Sequence, residues 1–226
     1  MMKVPPMLTL ENVCKSFDHY GKRIDVLKGI NLVMGKGDSL AIMGASGVGK
    51  STLLNIMGSL ERPTEGTVRF RDRNVYEMVG DEISRLRNRD IGFVFQFHHL
   101  LPELNAVENA MMPALIGRYP RKQAYQMARE VLARVGLEKR MTHRAGELSG
   151  GEQQRVAIAR ALIMKPKMIL GDEPTGNLDW LTGEEIAELL IELNRDEGVA
   201  MVIATHNDKL ARKMSRKMEL INGRME

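Results

Sequence analysis

The chain has 226 residues, 43% hydrophobic and 27% charged, without repeats or low-complexity stretches, which suits one sizeable α/β domain and leaves little room for two. No apolar run approaches the ~18 residues of a membrane span, Met1-Met2-Lys3-Val4-Pro5-Pro6 lacks the apolar region of a leader peptide, and the expectation is a protein that stays in the compartment where it is made. A net charge of +4 permits nucleic acid or an anionic membrane as partner, but the bases are interleaved with acids and read as solvated helix faces.

Apolar strand-like runs alternate with amphipathic helices, which points to an α/β fold with a largely parallel sheet. Leu8–Cys14 reads as an opening strand, with Cys14 a small structural residue, and Asn31–Met34 as another. Leu40-Ala41-Ile42-Met43 follows and leads into Gly44-Ala45-Ser46-Gly47-Val48-Gly49-Lys50-Ser51, which satisfies G-x-x-x-x-G-K-[ST] at every fixed position. Leu53, Ile56, Met57 and Leu60 then recur at the spacing of one buried helix face. Strand, loop and helix in this order make a phosphate cradle, because the glycines let backbone N–H groups converge on phosphate oxygens at a helix start. Lys50 supplies a fixed charge for the β- and γ-phosphates and Ser51 a hydroxyl for Mg²⁺. The candidate nucleotide contacts are Gly44 to Ser51 and the adjoining Thr52, and the expected ligands are ATP and Mg²⁺.

Thr67–Phe70 and Arg71-Asp72-Arg73-Asn74 suggest a hairpin, and Leu104–Arg140 turns helix-rich, most clearly over Arg121–Val135. Ser149 and Glu152 form a capping-box pattern ahead of Val156, Ala159 and Ile163. The first turn of that helix is glycine-rich, so its N–H groups are bared toward an anion although no lysine-bearing cradle adjoins it. Met168–Glu173 is a short apolar strand ending in two carboxylates. Asp172 is suited to holding Mg²⁺ through water and Glu173 to activating an attacking water. Thr182 and Glu185 repeat the capping pattern before Ile186, Leu189, Leu190 and Leu193, and Val199–Ala204 reads as a buried strand. Leu220–Met225 carries an Asn-Gly turn. The hairpins and opening strands suit a small antiparallel sheet flanking the parallel core.

Leu148-Ser149-Gly150-Gly151-Glu152-Gln153-Gln154-Arg155, ahead of the Asp-Glu strand, resembles the signature sequence of the ABC ATPase family, and the likeness spans Leu8 to Gly223. The resemblance implies a P-loop NTPase (RecA-like) parallel core with a flanking antiparallel β subdomain and an inserted helical subdomain. Residues 1–97 and 160–226 would form the core and 98–159 the helical part. It also implies a head-to-tail homodimer, each ATP lying between the cradle of one copy and Ser149, Gly150 and Gly151 of the other. On the same likeness Gln96 touches Mg²⁺ or the attacking water, Asp179 belongs to the loop that crosses the dimer interface, and His206 contacts the γ-phosphate. Phe17 stacks on adenine, with Tyr20 as the competing aromatic. The implied catalytic set is Glu173, His206 and Gln96, and the metal set Ser51, Gln96 and Asp172. His19, His98, His99 and His143 match no such role and read as structural.

Phe95–Asn109 closely resembles the ATPases of lipoprotein-releasing systems in Gram-negative inner membranes. Gly176-Asn177-Leu178-Asp179 and the compact length fit a wider group with macrolide-exporter-type and cell-division-type ATPases, the alternative reading. The implied partners are two transmembrane permease subunits, LolC/LolE-like, with lipoprotein cargo engaged only indirectly and no nucleic acid. The implied place is the cytoplasmic face of the inner membrane, as a peripheral protein. ABC ATPases acting on DNA or ribosomes usually carry two ATPase domains or a long coiled-coil insertion, and neither is present. A structural ABC protein that binds ATP to recruit partners is the other rival, which phosphate release with the membrane subunits would separate from a pump.

Overall fold

Strands that are apolar at every position need cover on both faces, and the two cores of this fold provide it. The computed structural model describes residues 5–226; residues 1–4, the start of the stretch read as lacking a leader's apolar region, lie outside the described residues. The strands are β1 (Leu8–His19), β2 (Lys22–Met34), β3 (Ser39–Met43), β4 (Glu65–Phe70), β5 (Arg73–Asn74), β6 (Ile91–Phe95), β7 (Met168–Asp172), β8 (Ala200–Ala204), β9 (Arg216–Ile221) and β10 (Arg224–Met225). The helices are α1 (Lys50–Met57), α2 (Asp81–Arg85), α3 (Ala106–Ile116), α4 (Arg121–Arg134), α5 (Gly150–Leu162), α6 (Trp180–Glu197) and α7 (Asp208–Lys213).

A six-stranded sheet runs β10-β9-β3-β8-β7-β6, and a four-stranded antiparallel sheet runs β2-β1-β4-β5. Successive side chains of a strand point to opposite faces. In β8, Ala200, Val202 and Ala204 therefore enter the core shared with α1 and the antiparallel sheet, while Met201 and Ile203 enter the core shared with α3 to α7. The strands β3, β6, β7, β8 and β9 pair in parallel. Their register sets Phe95 beside Asp172, Asp172 beside Ala204, and Ala204 beside Ile42. The loops that follow β3, β6, β7 and β8 therefore leave the sheet side by side at its carboxyl edge, where open α/β sheets bind their ligands.

Three local expectations need correction. The closing hairpin turns at Asn222 and Gly223, both at positive φ, but it joins the edge of the parallel sheet through β3 and β9 rather than the antiparallel sheet. The helix read from Thr182 begins at Trp180, because the Asp179 carboxylate accepts the Thr182 N–H at 3.1 Å and caps it first. Glu185 is thereby released from the expected box and pairs with Arg155 at 2.9 Å. Leu60 lies beyond the end of α1 and is exposed, while Leu54 joins Leu53, Ile56 and Met57 in the core. The helix α5 packs on β6 and also on α3, α4 and α6, so the expected division at residue 159/160 falls inside it.

Candidate active site

The cradle is a loop of six residues between Met43 at the end of β3 and Lys50 at the start of α1. Gly44 and Gly49 stand at φ 141° and 110°, and neither has room for a side chain. A Cβ on Gly44 would lie 2.6 Å from the Leu220 carbonyl oxygen, and one on Gly49 2.7 Å from Val26 Cγ1. With Gly49 as its N-cap, α1 has no capping side chain and no acid in its first turn. Its leading N–H groups are thus left for an anion. Lys50 is 8% exposed, and its Nζ donates to the carbonyls of Gly44 at 2.7 Å and Ala45 at 3.0 Å. An ammonium has three donors, so these contacts aim the charge along the loop and leave a third proton uncommitted.

Next to the cradle, β7 ends at Asp172. Burial holds this carboxyl above its ordinary value, opposed by the nearby Ser51 hydroxyl and by Lys50, while adjacent Glu173 pushes it further up. One carboxylate and one hydroxyl so placed form an oxygen pair of the kind Mg²⁺ takes when phosphate oxygens and water complete its shell. Glu173 turns out of the strand at φ 46°, a backbone region that costs a residue with a Cβ free energy and recurs at functional sites. Two contacts hold it there. Its N–H donates to the Ala204 carbonyl at 2.9 Å, and its carboxylate accepts the His206 N–H at 3.2 Å. The same oxygen, Oε2, stands 2.9 Å from His206 Nδ1. The carboxyl is 14% exposed and the imidazole 71%, so the histidine closes over the acid from the solvent side.

Gln96 leaves the end of β6 and is bonded to Asn177 through both its side chain and its main-chain carbonyl. Gln96 Nε2 donates to Asn177 Oδ1 at 2.9 Å, and Asn177 Nδ2 donates to the Gln96 carbonyl at 3.3 Å. Gln96, though not Asn177, joins the cradle, Asp172, Glu173 and His206 in lining a cleft of about 640 Å³, within the range of small-molecule sites. It gathers Gly44, Ala45, Ser46, Gly47, Gly49, Lys50, Ser51, Thr52, Gln96, Asp172, Glu173 and His206 from the expected set, and adds Val26 of β2. Val48 does not line it; its side chain packs partly buried against the core under α1.

Besides Val48, the expected residues Phe17, Ser149, Gly150, Gly151 and Asp179 stand away from that lining, as does Tyr20, the competing aromatic. Phe17, on β1, is 38% exposed with Lys15 Nζ at 4.7 Å from its ring centroid, and Tyr20, at the β1–β2 turn, is 95% exposed. Ser149 closes the expected capping box: its Oγ accepts the Glu152 N–H at 3.2 Å and its own N–H donates to Glu152 Oε2 at 2.8 Å. That N–H, with Arg140 behind it, holds the Glu152 carboxylate below its usual range. Gly150 and Gly151 follow as the first turn of α5, and Asp179 is engaged as the cap of α6. A Cβ on Gly151 would fall 2.3 Å from Thr182 Cγ2, so α5 and α6 approach closely at that end.

Arg160 and a second depression escaped the reading from sequence. The Arg160 guanidinium donates to the carbonyls of His98 at 2.6 Å and His99 at 2.7 Å, tying the segment after Gln96 to the far end of α5. Beside it lies a mainly apolar groove of about 550 Å³ whose walls include Leu60, Phe93, Phe95, His99, Ile116 and Met164. Phe97, 67% exposed, follows Gln96 directly. The signal was present as exposed apolar residues outside any helical period, but periodicity cannot assign such residues to a surface.

The sequence profile of the ABC transporter family matches residues 27–176. The chain is 54% identical to a lipoprotein-releasing system ATP-binding protein, LolD, of Myxococcus xanthus (strain DK1622), over 96% of this chain and 97% of that protein. It is also 54% identical to the protein of the same description from Geobacter metallireducens, over 97% of each. Among solved structures it superposes with a TM-score of 0.89 on an ATP-binding cassette determined as a dimer in a post-hydrolysis state bound to ADP and Pi. The identity there is 42%, over 97% of both chains.

Proposed function

The chain belongs to the ABC transporter family of ATP-hydrolysing cassettes, and from that premise we propose that it powers the release of lipoproteins from the inner membrane as the ATPase of a lipoprotein-releasing system. The observation that carries this reading is identity of 54% along almost the whole length of proteins so described. ATP enters the cleft at the ends of β3 and β7, its phosphates on the N–H groups of residues 44–52 and on Lys50. Ser51, Asp172 and Gln96 would hold Mg²⁺, which would supply positive charge to the β- and γ-phosphates. Glu173 takes a proton from water as the water oxygen bonds to the γ-phosphorus and the bond to the bridging oxygen breaks, leaving ADP and phosphate. His206, with Nδ1 against Glu173, presents its other ring nitrogen to the γ-phosphate. Phe17 stacks on the adenine.

Ser149 caps a helix whose first-turn N–H groups belong to Gly150 and Gly151, and none of the three lines the cleft that holds the cradle. The reading this supports is that they serve the ATP of a second copy, with Asp179 at the junction, in a head-to-tail homodimer. Two permease subunits of the LolC/LolE kind each seat a segment in the apolar groove walled by Phe93, Phe95 and His99. Closure of the dimer on ATP is passed to them through residues 98–159, at the inner face of the membrane. No helix of the described residues is long and apolar enough to cross a membrane; the spanning part belongs to the partners. The test is purification of the complex from native membranes, with phosphate release measured before and after the permease subunits are restored. Lipoprotein-responsive permeases and a rate that changes on their return are expected. Recovery of an unrelated pump would overturn the cargo assignment.

A further inference from the structure

Single exposed apolar residues are ordinary on a protein surface. Trp180 and Leu181 stand apart from that pattern. They are the one pair of sequence neighbours among the large exposed hydrophobics of the described residues, at 65% and 66% exposure. Trp180 is also the single tryptophan of the chain. The two residues open α6 directly after Asp179. On either side of them, Leu178 Cδ2 lies 3.5 Å from where a Cβ on Gly150 would stand, and Thr182 presses on Gly151. The pair thus borders the glycine-rich start of α5. One face of the indole lies against α7, with Lys209 Nζ 4.5 Å from the ring centroid, and the rest is open.

The position narrows what can cover it. The apolar groove is walled by Arg160, Ala161 and Met164 at the opposite end of α5, roughly 15–20 Å away at about 1.5 Å per residue. The groove and Trp180 thus lie at opposite ends of α5. The start of α5, in contrast, is the surface assigned above to a second copy.

We propose that Trp180 and Leu181 pack against a second copy of this chain when two copies close on ATP, extending the contact made by the start of α5 with an apolar anchor. The inference rests on the head-to-tail pairing proposed above. A tryptophan buried in such a contact gives up a large apolar area to the partner, and tryptophan is enriched among residues that dominate interfaces.

The lone indole reports on its own burial. In the Glu173→Gln variant, ATP with Mg²⁺ is expected to shift the emission to the blue and to reduce acrylamide quenching severalfold. Both changes should track the doubling of mass seen by light scattering and should depend on protein concentration. Doubling of mass with an indole as accessible as before would overturn the inference and leave the pairing standing. An emission change in protein that stays monomeric would overturn it too, since it would report an event within one copy. If mass never doubles, the pairing falls and the inference with it. As a second arm, Trp180→Ser with Leu181→Ser should leave ATP affinity of the single copy unchanged and weaken ATP-dependent pairing by about tenfold or more; undiminished pairing would overturn the inference.

Discussion

Glu173→Gln exchanges one carboxylate oxygen for an amide nitrogen at almost unchanged size, which separates what the residue does for folding from what it does for chemistry. In the structure its carboxylate accepts the His206 N–H at 3.2 Å and lies 2.9 Å from Nδ1. Both contacts are made by Oε2, so a glutamine oxygen in its place retains both and loses only the carboxylate charge. The loss to stability is therefore bounded by the net worth of one hydrogen bond, about 0.5–1.5 kcal/mol. The positive φ at this position is no better tolerated by glutamate than by glutamine, so it adds nothing to the difference. Removing a general base costs about 10²–10⁴ in rate, or about 3–5 kcal/mol of barrier. The chemical effect exceeds the folding effect several times over. The variant should fold, bind ATP with near-normal affinity by calorimetry, release phosphate at least a hundredfold more slowly (about 10²-fold at the low end), and elute as a dimer when ATP is present. A rate within tenfold of the parent would refute the general-base assignment. Elution only as monomer would count against the sandwich of two copies.

Lys50→Ala should weaken ATP binding while leaving the fold intact, because the buried ammonium contacts only two loop carbonyls in the free chain; unchanged affinity by calorimetry would contradict the cradle. Ser149→Arg removes an N-cap worth about 1 kcal/mol and places a bulky cation at the start of α5. ATP binding to a single copy should survive and phosphate release should stop, so normal turnover would exclude a role in trans. Gly92→Ala would set a Cβ 2.6 Å from the Ala161 carbonyl oxygen, a backbone atom of α5 that cannot rotate away. A loss of about 1–3 kcal/mol from overpacking is expected in urea unfolding, and an unmoved midpoint would show that α5 rides loosely on β6. Phe17→Ala should weaken the binding of ATP more than Tyr20→Ala does, and the reverse order would move the adenine contact to the turn.

Where neighbours in sequence carry the determining interactions, the fold was legible without coordinates. The cradle from Gly44 to Ser51 depends on glycine backbone freedom and the helix that follows. The box at Ser149 and Glu152 closes within one turn, and β7 and β8 are apolar enough to demand burial on both faces. Errors arose where a local signal had a stronger neighbour or a distant competitor. Thr182 lost the cap to Asp179, three residues earlier. The Asn222–Gly223 turn was local, but the sheet its hairpin joins was chosen by β3, far away in the chain.

The sequence by itself determined the chemistry available: a lysine and a serine after a glycine loop, two acids after an apolar strand, and a second glycine-rich helix start without a lysine. Only the tertiary structure decided that these groups meet. The register of β3, β8, β7 and β6 brings the cradle, Glu173, His206 and Gln96 to one edge, and it leaves Ser149 outside the cleft they form. The physical reason is range. Capping, glycine conformations and helical periods act over a few residues. The Gln96–Asn177 pair, the strain at Glu173 and the exposure of Trp180 depend on packing between segments that the chain order keeps apart.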